Sequence, residues 1–269
     1  MLVRRAWLLY RWGSVGLLAV LGIVLLAASA LACPPEVRPN PALSLAPAAA
    51  ERVRSGAALR ILAIGSSSTA GVGASRPEAN YPSQLARRLV EALGEGRVEV
   101  TNAGVSGESA PATVKRLEAF LSAAEKPDLV LWQVGTNDVI FGGTPERLGA
   151  LVGRGLDAAA GVAAVVIDQQ YFPLILDLGR YEQFVAAVGE AAAERQVPLL
   201  GRYAMMKQWA AEDPDGFRHL FSWDRFHMND KGYACLAQEL ADAVVQAVGA
   251  VAPPPGATPG RAPSPAPRR

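Results

Sequence analysis

The chain is poor in the residues that hold metals and build disulfide frameworks. Its 269 residues include two cysteines, Cys33 and Cys235, and two histidines, His219 and His227. A structural zinc site takes about four Cys or His ligands close together, and no His-rich or CxxC cluster occurs, so no metal or other cofactor is expected. Two cysteines are also too few for a disulfide framework. A bridge between them is not expected: Cys235 should be a buried or half-buried thiol behaving as a small hydrophobe, and Cys33 lies at the start of a flexible linker. Charge of one sign is lacking too. Lys and Arg number 26 against 25 Asp and Glu, a net charge of +1, which excludes a dedicated nucleic-acid surface built on concentrated Lys and Arg. The glycines of "GSSSTAGVG" are followed by no Lys, and they do not spell G-x-G-x-x-G, so neither phosphate-binding loop is present.

One long apolar run does occur. "MLVRRAWLLYRWG" carries Arg4, Arg5 and Arg11, and "SVGLLAVLGIVLLAASALA" then runs apolar to Ala32. A basic flank, an apolar core and small residues at Ala30 and Ala32 are the parts of an export signal. The stretch is also about long enough to span a bilayer, so residues 1–32 read as a signal peptide or an N-terminal membrane anchor. Cys33 follows directly and could carry a lipid, although Ala30 stands where that pattern prefers Leu. All of these readings place the remainder outside the cytoplasm, in the periplasm or anchored at the cell envelope. Residues 33–58 are rich in Pro and Ala and read as a linker. Residues 249–269 end in "APPPGATPGRAPSPAPRR", which holds no large apolar side chain and reads as a disordered tail. Residues 59–248 remain as one domain able to bury a sizeable core.

Within that domain strand and helix patterns alternate. "LRILAIG", "RVEVTNAG", "PDLVLWQVG", "GVAAVVIDQQ" and "VPLLGRY" read as strands. Between them, helical spacing recurs in Leu85, Leu89 and Leu93, in Val114, Leu117 and Leu121, and in Tyr181, Phe184, Val188 and Ala192. Residues 145–160 read as a helix in spite of Gly149, Gly153 and Gly155. A last helix, from about Asp230 to Val248, stacks Tyr233, Leu236, Leu240 and Val244 on one stripe. This beat predicts an α/β fold, a three-layer α/β/α sandwich on a parallel, flavodoxin-like sheet. In such sheets the site lies beyond the carboxyl ends of the strands.

The residues at those ends are chemically rich. Ser66, Ser67 and Ser68 follow the first strand, "NAGVSGES" the second and "GTND" the third, while "WDRFHMNDKGY" leads into the last helix. Each block alone has an ordinary reading: a polar turn, a helix cap, a structural histidine. Together they supply an acyl-transfer site, which needs a nucleophile, a base, a group that orients the base and donors for an oxyanion. His227 is the natural base, because imidazole exchanges protons near neutral pH, and Asp224 stands three residues before it. His219 has no carboxylate at that spacing and reads as a surface or structural residue. Asn137 is an apt oxyanion donor, being neutral and an N–H donor.

These blocks, in this order, resemble the SGNH hydrolases, the GDSL-type lipase and esterase family. The resemblance implies Ser67 as nucleophile, Asp224 and His227 as its partners, and an oxyanion hole from Ser67, Gly107 and Asn137. It implies hydrolysis of an ester on a small molecule or a polysaccharide. One position departs from the pattern: Ser66 stands where the family has Asp, giving GSS in place of GDS. A non-catalytic carbohydrate-binding or scaffold protein on the same fold is the alternative class, as are arylesterase, lysophospholipase or thioesterase specificities. No long apolar insertion resembling a lipase lid occurs, which favours a short acyl group such as acetyl.

Overall fold

A computed structural model describes Cys33 and residues 42–251. The expectations for residues 1–32, and for the tail beyond Val251, fall outside these residues. The elements are α1 (Pro47–Arg54), β1 (Leu59–Gly65), α2 (Ser67–Ala70), α3 (Tyr81–Leu93), β2 (Val98–Gly104), α4 (Ala110–Ser122), β3 (Leu129–Gln133), α5 (Thr136–Ile140), α6 (Pro145–Ala158), β4 (Ala163–Ile167), α7 (Leu178–Glu194), β5 (Leu199–Leu200), α8 (Arg202–Glu212), α9 (Pro214–Arg218) and α10 (Asp230–Val251).

The five strands form one parallel sheet in the order β2-β1-β3-β4-β5. This is the α/β/α sandwich with a flavodoxin-like sheet that the alternation predicts. The central strands β3 and β4 are buried at every residue, as continuous apolar runs must be when helices cover both faces. Strand β2 lies at the edge, and its half-exposed pattern reflects that place. One face of the sheet carries α4, α6 and α7 over a core that includes Trp132, Leu117, Val152 and Phe184. On α10, Tyr233, Leu236, Leu240 and Val244 are all buried, and the helix packs against α3. Helix α10 is long and apolar enough to cross a membrane, but this stripe is spent on the interior.

The glycines of α6 have a packing reason. A Cβ on Gly155 would lie 2.4 Å from the Trp132 ring, and one on Gly153 would lie 2.7 Å from the Arg195 guanidinium. Their cost in helix propensity, ~1 kcal/mol each, is offset by the close approach of a large aromatic and a long cation.

Two parts of the reading change. Residues 33–58 contain a helix, α1, opened by Pro47 and burying Ala49, Ala50 and Val53, which packs on α10. The second change concerns sulfur: Cys33 and Cys235, the only two cysteines, are both disulfide-bonded. The expectation of a free thiol at Cys235 and of an unbridged Cys33 is therefore wrong, and no Cys33 sulfur is left to carry a lipid or attach the chain to a membrane. Cysteine count alone did not reveal this, because two cysteines suffice for one bridge. Cys33→Ser is expected to lower the free energy of unfolding by about 2–4 kcal/mol, the usual worth of closing a long loop. Urea titration against the oxidised parent measures this, and coincident midpoints would show that the bond contributes nothing.

Candidate active site

The strand order reverses between β1 and β3, which places the topological switch point at their carboxyl ends. Ser67 opens α2 directly after β1, and Asn137 lies in α5 directly after β3. Helix α2 sits almost on the neighbouring strand end, since a Cβ on Gly104 would lie 2.1 Å from the Ala70 amide nitrogen. Only glycine at that place lets the serine turn settle over the sheet edge.

The three consecutive serines go three ways. Ser67 Oγ lies 2.9 Å from His227 Nε2. Ser66 donates through both its amide and its hydroxyl to the Gln133 side-chain oxygen, at 3.0 and 3.1 Å, so it is tied to β3 rather than within its own loop. Ser68 Oγ reaches Gln170 Oε1 at 3.4 Å.

The D-x-x-H spacing is explained by a turn in which the carboxylate does two jobs. Asp224 Oδ1 accepts from the Phe226 and His227 amides at 3.0 and 2.9 Å and from Ser222 Oγ at 2.7 Å. This leaves Oδ2 to face His227 Nδ1 at 2.6 Å. Burial raises the Asp224 pKa, but the hydrogen bonds from His227, the Phe226 amide and Ser222 outweigh it and hold the carboxyl well below its usual range. Arg225, inside this turn, has a φ of 54°, a left-handed conformation that costs a non-glycine residue energy and is concentrated at functional sites.

The following block anchors the histidine. Asn229 Oδ1 caps the start of α10 through the Lys231 and Gly232 amides, and its Nδ2 donates to the carbonyls of His219 and Phe221. Asp230 accepts from the Ser75 amide at 2.7 Å, and Tyr233 donates its hydroxyl to the Val72 carbonyl at 2.6 Å. Both bonds tie the last helix to the loop after the serines. That loop passes so near the histidine turn that a Cβ on Gly73, at φ 93°, would lie 2.3 Å from the Met228 carbonyl oxygen. His219 is exposed and enters this arrangement through its backbone carbonyl, which accepts from Asn229.

The remaining site candidates lie on two connected loops. Gly107 is exposed at φ 81° in the turn after β2. Asn137 Nδ2 donates to the carbonyl of the next residue, Glu108, at 2.7 Å, which uses one of its two amide hydrogens. The Glu108 carboxylate is clamped by Arg116, with contacts down to 2.6 Å. Asp138 caps α4, since its two carboxylate oxygens accept from the Ala110 amide at 3.0 and 3.1 Å. Burial raises its pKa in spite of these bonds. The capping bond made by "GTND" is thus that of Asp138 to α4, and α5 itself starts without a side-chain cap.

Sequence reasoning missed Gln133 and Gln170. Gln170 receives Ser68 and donates to the Phe226 carbonyl at 2.7 Å, joining the serine turn to the histidine turn. Their position immediately at or after β3 and β4 is the signal that could have found them. Of the tryptophans, Trp132 and Trp209 are core residues, while Trp223, beside Asp224, is 94% exposed.

The model of the non-GDSL lipase-like family matches residues 32–250. The chain belongs to this family. Membership and the serine–histidine contact together support ester-hydrolysing activity at the level of the family. No curated protein sequence matches the chain. Among solved structures, the lipase/acylhydrolase from Enterococcus faecalis is 22% identical with a TM-score of 0.59, over 70% of this chain and 95% of that one. The psychrotrophic esterase EstA from Pseudoalteromonas sp. is 20% identical with a TM-score of 0.58, over 71% and 99%. A two-domain esterase active on acetylated mannans is 22% identical with a TM-score of 0.57, over 75% of this chain and 51% of that one. At these identities the likeness is one of fold.

Proposed function

We propose that this member of the non-GDSL lipase-like family is a serine ester hydrolase that works through Ser67, His227 and Asp224. The single observation that carries the reading is the continuous series Ser67 Oγ–His227 Nε2–His227 Nδ1–Asp224 Oδ2, at 2.9 and 2.6 Å. His227 takes the Ser67 proton as the oxygen attacks the ester carbonyl, then gives it to the leaving alcohol. It next activates water to release the acyl group. The charged Asp224 fixes the imidazole with its proton on Nδ1, so that Nε2 is the basic nitrogen. The Ser67 and Gly107 amides and the second Asn137 N–H serve as donors for the oxyanion. The substrate is an ester of a small molecule or a polysaccharide.

A fluorophosphonate probe tests the reading directly. A single covalent adduct, mapped to Ser67, is expected; a folded protein that takes no adduct would refute it. Asn137→Ala is expected to lower kcat on a simple ester by about 100-fold, the scale for losing one oxyanion donor. If Asn137 served only the Glu108 loop, the loss would appear as about 1 kcal/mol of stability with kcat preserved. Melting curves measured beside the kinetics separate the two.

We also propose export to the periplasm or cell envelope. The disulfide between Cys33 and Cys235 supports it, because such bonds form and persist in oxidising compartments. Cell fractionation tests it: recovery of the oxidised domain outside the cytoplasm is expected, and a reduced cytoplasmic pool would count against export.

A further inference from the structure

We infer that the chain has a built acyl-binding subsite that selects medium-length apolar acyl groups, of roughly six to ten carbons, over acetyl. The inference rests on the ester-hydrolase reading above and names its substrate class. A cavity of about 480 Å³ is walled mainly by Val139, Ile140, Phe172, Ile175, Tyr181 and Phe226, within the ~300–1,000 Å³ of ordinary ligand pockets. An acetyl group would leave most of it empty.

One of its walls stands against the proposed base. Val139 and Ile140 lie two and three residues after Asn137 on α5, and Phe226 immediately precedes His227. The Phe226 ring stands edge-on to the His227 imidazole with centroids 4.6 Å apart, and Phe172 packs edge-on to Phe226 at 4.8 Å. The cavity therefore borders the His227 imidazole through the Phe226 ring.

The charged residues at the cavity are committed elsewhere. Asp177 accepts from the Arg180 amide at 2.9 Å, and Arg180 donates to the Gly143 carbonyl at 3.0 Å with its guanidinium over the Phe184 ring. The rim is apolar and open: Ile140 is 49% exposed, Leu174 43% and Leu176 fully. Clustered exposed apolar side chains mark a binding surface, and here they border a cavity that continues them inward.

This reverses the short-acyl expectation, and the reason is tertiary. No single insertion makes the wall; α5, the segment from Phe172 to Leu176, the start of α7 and the residue before His227 each contribute part.

The test is the kcat/KM series of p-nitrophenyl esters from acetate to decanoate, measured on the full chain. Each buried methylene is worth roughly fourfold, so burial of about half the added chain gives octanoate an advantage on the order of 100-fold over acetate. Leu174→Asp and Ile140→Asp, both at partly exposed positions, are expected to reduce the octanoate-to-acetate ratio by at least about tenfold at an unchanged melting temperature. Turnover of acetate with a flat or falling series overturns the subsite and leaves the hydrolase reading standing, as does a ratio that neither variant alters. Failure of every ester together with failure to label with fluorophosphonate overturns the hydrolase reading and the subsite with it.

Discussion

Ser67→Ala is expected to lower ester turnover by about 10⁶-fold, the scale for removing the serine of a serine–histidine–aspartate series, and to abolish fluorophosphonate labelling. Ser66→Ala and Ser68→Ala should still label. The three hydroxyls are separated by their partners: Ser67 faces His227, Ser66 faces Gln133 and Ser68 faces Gln170. Removing the Ser66 hydroxyl leaves Gln133 Oε1 with the Ser66 amide and Thr69 as donors, so the strand end stays satisfied. Peptide mapping of the adduct, with melting curves for all three variants, decides the matter. An adduct retained in folded Ser67→Ala would move the nucleophile elsewhere.

Asp224→Asn is expected to lower kcat by about 10⁴-fold with little change in KM. The amide oxygen can keep the Phe226 and His227 N–H bonds, which hold the turn. Its NH₂ then faces Nδ1 and makes that nitrogen the acceptor. The imidazole proton moves to Nε2, where it blocks uptake of the Ser67 proton. A fall confined to KM would mean that Asp224 shapes the site without orienting the base. The carboxyl also bears on stability. Its pKa is depressed in the folded state because the hydrogen bonds outweigh burial. Its contribution is therefore fully present above the unfolded carboxylate pKa and is lost as pH falls through the lower folded value. Acid titration of the melting temperature should show Asp224→Asn losing part of the acid-side slope of the parent.

The strand and helix order was legible in the sequence because periodicity survives any tertiary context. "LRILAIG" is β1 from its first residue to its last, and the stripe of Tyr233, Leu236, Leu240 and Val244 is buried as its spacing requires. The blocks after β1, β2 and β3 could be placed at one sheet edge, since parallel strands bring their carboxyl ends together. The residue types there, with the D-x-x-H spacing, pointed to acyl chemistry.

Other features depend on contacts between residues far apart in the chain, which a linear pattern does not encode. Gln133 and Gln170 read as ordinary strand-end polar residues until the serine turn is laid on them. Composition made residues 33–58 a spacer, but Ala-rich sequence also favours helix, and burial of Ala49, Ala50 and Val53 decided for α1. The bond at Cys33 and Cys235 joins positions 202 apart in the chain. The cavity wall is the clearest case. Its apolar side chains are unremarkable in their own segments, and only the packing of α5, α7 and the histidine turn turns them into a cavity. Sequence alone thus determined the layers, the edge at which the chemistry lies and the residue types that carry it. Tertiary structure decided which serine meets the imidazole, because that is a matter of direction at a turn. It also decided which apolar groups meet around one cavity, because hydrophobic contact is set by proximity in space and not along the chain.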